Sequence, residues 1–396
     1  MNRPTCSNEQ NRSTEGPRSP CNRRNRSMEY TSGLDPGPPL KRRQLSRLSA
    51  EESFDGAPDN GDLDNPISFW AREGHWPREY FESTIERALA RKRRKQSNSA
   101  TCTTPSDQKP REEKSAQYRD PRYKALLATK GSFMDKSDLG IAEASKRTCH
   151  TLLSAEQTIP KESLFRDDLF DQTCRSVEDR NEARILRDIT PLIVPSAEIL
   201  AIHGSIGLKC LIEILNEGWN NSVPLTGARP QPDYSVGFWR EAFTATQLNK
   251  LSPFIGDFIA GDLSYFMATY SLYFPFLACE VKCGAAALDI ADRQNAHSMT
   301  LAVRGVVELF YLVGRENEID RQILAFSVSH DHQSVRIYGY YPVINGKEVK
   351  YYRHPIRSFS FTELDGKEKW AAYQFTKNVY DIWVLDHFMR ICSAIE

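Results

Sequence analysis

The chain has no excess charge of either sign: Lys+Arg 52 stand against Asp+Glu 52 over 396 residues. A polycation built as a whole for nucleic acid or anionic membrane is thereby excluded, and any basic surface must be local. Nine cysteines are scattered, and no Cys-x-x-Cys pair occurs that would suggest a structural zinc or a redox dithiol. Reduced thiols in a cytosolic or nuclear setting are the expectation. Long apolar runs are missing too. Charged residues interrupt each hydrophobic stretch before it could span a bilayer, and the first residues lack the apolar core of a signal peptide. An intracellular protein with no membrane partner follows. Aliphatic residues are scarce in places: hydrophobic residues make up 40% and mean hydropathy is −0.54. Part of the chain therefore stays outside any core.

That part lies at the front. Residues 1–61 are mostly Arg, Ser, Pro, Asn and Gly, with too little apolar surface to offset the entropy of ordering, and read as disordered. Within them Pro38-Pro39-Leu40-Lys41-Arg42-Arg43 reads either as a nuclear import signal or as a solvated charge cluster. Aromatic residues return at Trp70, Trp76, Tyr80 and Phe81, and the spacing predicts a short helix over 77–95 ending in the basic block Arg91-Lys92-Arg93-Arg94-Lys95. Polar residues 96–119 form a linker, so 1–119 is a largely disordered basic and polar arm. Short apolar patches in 120–180 predict small helices packing on a core, and an α/β domain is expected over 181–396.

Within that domain Ser196 caps a helix expected to run to about Trp219, although Gly204 and Gly207 interrupt it. Residues 234–238 read as a strand. The continuous apolar run 274–281 reads as a strand covered on both faces. A long helix over 285–313 and a strand over 322–329 follow, an order that implies a parallel crossover. Asn345-Gly346 marks an antiparallel hairpin between 335–344 and 348–352, and a helix rich in large aromatics closes the chain over 368–395.

Asp233 begins the first of these strands, and Glu280-Val281-Lys282 ends the buried one. Period-two geometry puts Glu280 and Lys282 on one face. If Asp233 sits at the neighbouring strand end, two carboxylates and a main-chain carbonyl converge, the hard oxygen donors that Mg²⁺ or Mn²⁺ prefers. Other Glu-x-Lys triplets, at 112–114 and 348–350, fall in the linker and beside a turn. Only Glu280 lies in an apolar strand, where a carboxylate needs a partner, either a metal ion or Lys282 itself. His330-Asp331-His332 reads as a polar turn, His297 as a partly buried core residue, and one of Cys279 and Cys283 as a buried small hydrophobe.

Pro232-Asp233, Glu280-Val281-Lys282 and the element order resemble the PD-(D/E)XK (restriction-endonuclease-like) nuclease superfamily. The region from about Asp188 to Ile395, with landmarks ARPQPDYSVGF, FPFLACEVKCGAAALDIADRQNAHS and SHDHQSVRIYG, also resembles an uncharacterised domain found in fungal proteins. The superfamily resemblance implies an α/β fold with a mixed sheet flanked by helices and a hairpin extension. It also implies Mg²⁺- or Mn²⁺-dependent cleavage of DNA or RNA. Asp233, Glu280 and the Val281 carbonyl would hold the ion, with Lys282 serving the attacking water. Glu213, on the helix before the motif, matches an accessory carboxylate, and Gln294, on the helix after it, a polar residue near the phosphate. The alternative is the same fold without catalysis, acting as a module that binds protein or nucleic acid.

Overall fold

The computed structural model describes residues 116–283 and 288–396. The arm's expected disorder, the helix over 77–95, both basic runs and the triplet at 112–114 lie outside the described residues. The fold class is as expected: α/β, with a seven-stranded mixed sheet flanked by helices. The strands are β1 (Ser132–Phe133), β2 (Leu211–Leu215), β3 (Tyr234–Trp239), β4 (Leu272–Val281), β5 (Ala325–His330), β6 (Ser334–Asn345) and β7 (Glu348–Ser360). They lie in the order β1-β7-β6-β5-β4-β3-β2. β4 and β5 run parallel, joined through the long helix, as the crossover reading requires; β2/β3, β3/β4, β5/β6 and β6/β7 are antiparallel.

Before β2 come α1 (Tyr123–Ala128), α2 (Glu143–Ser154), α3 (Phe170–Val177), α4 (Glu182–Asp188) and α5 (Ala197–Ile202). α6 (Ala245–Ile255) separates β3 from β4, and α7 (Leu288–Leu312) separates β4 from β5. α8 (Ala371–Asn378), a π-helical turn (Val379–Trp383) and α9 (Val384–Ile395) close the chain.

Sequence chemistry accounts for the starts of several elements. Asn181 and Ser196 accept backbone N–H bonds at the N-termini of α4 and α5, and Thr244 with Gln247 forms a reciprocal capping box on α6. The expected helix from Ser196 to Trp219 is corrected: α5 stops at Ile202, a 3₁₀ turn covers Ile206–Cys210, and Leu211–Leu215 is strand. Gly204, with φ +110°, ends the helix in a conformation open to glycine. β2 is an edge strand, and the Glu198 carboxylate covers it by accepting the outward Glu213 N–H at 3.1 Å. The hairpin turns at Gly346-Lys347, since Asn345 and Glu348 already pair across the ladder.

β4 is buried along its whole length, as its apolar run predicts. Its ladder with β3 is irregular between Val236 and Phe238, where Phe274 takes φ +42°. Gly237 answers this: a Cβ there would lie 2.7 Å from the Tyr273 carbonyl oxygen and 3.0 Å from Pro275 Cα. On one sheet face lies α7. On the other, β3, β4 and β5 bury Phe238, Phe276 and Phe326 against Trp383, His387 and Phe388 of the C-terminal helices. The opposite edge belongs to β1, whose Ser132 and Phe133 pair parallel with Tyr351 and Tyr352. The 120–180 segment thus contributes a strand to the sheet as well as helices.

Candidate functional site

The β3/β4 register pairs Tyr234 with Cys279 and Ser235 with Ala278, which sets Asp233 across from Glu280 one step beyond. Glu280 also pairs with Ser329, whose Oγ meets Asn295 of α7, so Glu280 and its cross-strand neighbour Asp233 point toward the α7 face. Asp233 Oδ2 accepts the Val281 N–H at 2.7 Å, and Lys282 Nζ donates to the Val281 carbonyl at 2.7 Å. The Val281 backbone is thus held at its N–H by the carboxylate of one half-motif and at its carbonyl by the amine of the other.

Lys282 Nζ also stands 3.7 Å from Glu280 Oε2 and 3.8 Å from Glu182 Oε1, longer than a charge-assisted hydrogen bond. The amine therefore spends its short contact on a neutral carbonyl, and its ion pairs are secondary. All three side chains are deeply buried, at 1% exposure for Asp233 and Glu280 and 6% for Lys282. A surface cavity lined by Lys136, Asp320 and Lys350 lies away from these three side chains.

On the parallel side, Glu280 neighbours Ser329 of β5. Asn295 of α7 donates from Nδ2 to Ser329 Oγ and to the Val328 carbonyl, both at 3.0 Å, and so ties the helix to the sheet beside Glu280. Beyond it, Tyr118 and Tyr123 close over His297, their hydroxyls 2.8 and 3.1 Å from Nδ1. Burial holds the His297 imidazolium down to about 3, so the ring is neutral, which the reading as a core histidine anticipates. Burial, the neighbouring Tyr123 and, last, the Glu280 charge push the Tyr118 hydroxyl well above its ordinary value.

The other candidates separate. Glu213, expected on a helix beside the motif, is corrected: it lies on β2 opposite Val236, which puts it on the sheet face away from Asp233. There it accepts from Ser196 Oγ at 2.7 Å and the Tyr234 hydroxyl at 2.8 Å, a link between α5 and the sheet. Gln294 lies on α7 as expected and is buried, its Oε1 without a hydrogen-bond partner among the described residues. Of His330-Asp331-His332 only the last two lie in the turn, where Asp331 Oδ1 accepts the N–H groups of Gln333 and Ser334; His330 ends β5, sealed against Thr190. Burial, reinforced by the Asp233 and Glu280 charges, pushes the Cys279 thiol far up, so it packs as a small hydrophobe. The Glu348–Lys350 pair is an exposed contact at 2.8 Å.

Sequence reading passed over Ser329, Asn295 and Tyr118. A polar residue inside an otherwise apolar strand or helix, as at Ser329 and Asn295, was the available signal. Tyr118 carried none, being brought in from far along the chain.

The two carboxylates and the Val281 carbonyl are the oxygen donors that a small hard dication takes, and a carbonyl bonded once by Lys282 retains a second lone pair. Among the described residues no cluster of three or more His, Cys, Asp or Glu side chains could hold an ion. A site here therefore needs the main-chain oxygen as well as the acids. No helix among the described residues is long and apolar enough to cross a membrane. No curated protein matches the chain. The family model described as "Domain of unknown function (DUF7924)" matches residues 169–395. That span takes in every strand from β2 to β7 and more than half of the chain, and the protein belongs to this family.

Proposed function

We propose that the Asp233–Glu280–Lys282 face is a divalent-cation site of the PD-(D/E)XK kind, and that the domain is a nuclease-like phosphodiesterase acting on DNA or RNA. The observation that carries this reading is the arrangement across β3 and β4. Two acids far apart in sequence meet on one sheet face, with the Val281 N–H bonded to Asp233 and the Val281 carbonyl to Lys282. Asp233, Glu280 and the Val281 carbonyl would hold Mg²⁺ or Mn²⁺. A bound ion of this kind polarises a phosphoryl oxygen and makes a coordinated water a better nucleophile. Lys282 orients that water and offsets charge, and Gln294 provides a polar contact toward the phosphate. The basic runs at 41–43 and 91–95 supply loose phosphate contacts and nuclear entry.

The test is cleavage of single- and double-stranded DNA and RNA by the full chain with Mg²⁺, beside Asp233→Asn, Glu280→Gln and Lys282→Met. Loss of activity on the order of 10²-fold or more in each variant is expected. Equal cleavage by all four proteins would assign the activity to a contaminant.

A second reading, a catalytically silent interaction module, is favoured by burial: side chains only 1–6% exposed offer a phosphodiester no path without movement of the cover. The two readings part on Mn²⁺. A metal-dependent enzyme gains both stability and activity with the ion, whereas a silent module gains neither.

A further inference from the structure

Two neighbouring helical segments carry apolar side chains that the described residues leave open to solvent. Ile199 and Ile202 of α5 and Ile206 of the following 3₁₀ turn are 54, 80 and 71% exposed. Ile382 of the π turn and Leu385 and Met389 of α9 are 40, 39 and 59% exposed. The second row follows a spacing of three then four residues along a continuous helical run, which puts it on one side; the first spans the break at Gly204. The rows adjoin, since a Cβ on Gly207 would lie 3.7 Å from Leu385 Cδ1. The inner sides of the same segments are already used: Ala197 and Leu208, Trp383, Val384 and Ile391 are buried in the core. Single exposed apolar residues are ordinary, but a joined double row forms a patch of the kind that marks an interface.

The charges beside the patch decide which partner fits. Asp386, exposed, follows Leu385, and Arg390, partly exposed, follows Met389 one turn later on the same helix. A rim of one sign would call for a partner of the other. A rim with both signs a turn apart along one helix complements its own image. Two α9 helices crossing antiparallel about a two-fold axis set Asp386 of each copy beside Arg390 of the other, and Leu385 of each against Met389 of the other. We infer that this face joins two copies of the chain in a symmetric dimer.

Light-scattering mass of the full chain at about 50 µM, far above the dissociation constant of an ordinary specific dimer, tests this. Twice the 45.2 kDa chain mass is expected. Ile202→Glu and Met389→Glu should each return the chain mass with the circular dichroism spectrum unchanged, because exposed positions tolerate substitution. Asp386→Arg should weaken the dimer, and adding Arg390→Asp should restore it. A wild-type monomer overturns the inference. So does a dimer that both glutamate variants leave intact, or a monomer in which residues 1–115 protect α9 from hydrogen exchange.

Discussion

Lys282 reaches three oxygens, at 2.7 Å for the Val281 carbonyl and 3.7 and 3.8 Å for Glu280 and Glu182. Removing the amine takes away the cation that stands 3.7 Å from the buried Glu280 carboxylate. Lys282→Met should therefore lower stability by about 3–5 kcal/mol in denaturant titration, and Glu280→Gln in the same chain should recover most of the loss. A near-zero coupling between the two changes would mean that the ion pair has no structural weight. Two other buried residues contribute to acid sensitivity. His297 and His387 are both held down to about 3 by burial, below their ordinary value of 6.5. The unfolded chain takes up these protons first, so their contribution is complete above about pH 6.5. It falls toward pH 3 by up to about 1.4 kcal/mol per pH unit for each ring. His387 stacks on Trp383 with centroids 4.3 Å apart, and neither nitrogen has a hydrogen-bond partner among the described residues. His387→Phe should keep or raise stability at pH 7 and flatten the acid limb between pH 6 and 4. An unchanged limb would contradict the assignment. The aromatic box around His387 was not legible beforehand, because it is assembled from β3, β4 and the π turn.

Among the elements, α7 is pressed against the backbone near Tyr265. Gly305 faces the Tyr265 backbone carbonyl, and a Cβ would overlap that oxygen. Alanine is the better helix former by about 1 kcal/mol, yet Gly305→Ala should destabilise by about 1–3 kcal/mol, measured by urea midpoint. A stabilised variant would show that the helix can shift outward freely. The elements readable from sequence were those with strong local signals: the apolar run of β4, the long periodicity of α7 and the Asn-Gly hairpin. β2 was read as helix because 208, 211, 212 and 215 fit a helical stripe. The pairing with β3 that makes it a strand is long-range and leaves no local mark. β1, two residues long, gave nothing for periodicity to detect.

For the molecule as a whole, the mixed sheet and the parallel crossover between β4 and β5 followed from element order, and this brought the half-motifs into one place. The strand ends at Asp233 and Glu280 were legible because each is a charged residue in apolar strand sequence. Glu213 was misread for the same reason as β2: helical spacing assigns it a different face from strand alternation. The most direct test of the central claim is an anomalous difference map from crystals of the full chain soaked in Mn²⁺. The account predicts a peak at about 2.0–2.2 Å from carboxylate oxygens of Asp233 and Glu280 and from the Val281 carbonyl. A saturating soak that leaves this position empty, with the two carboxylates ordered as they are here, would contradict it.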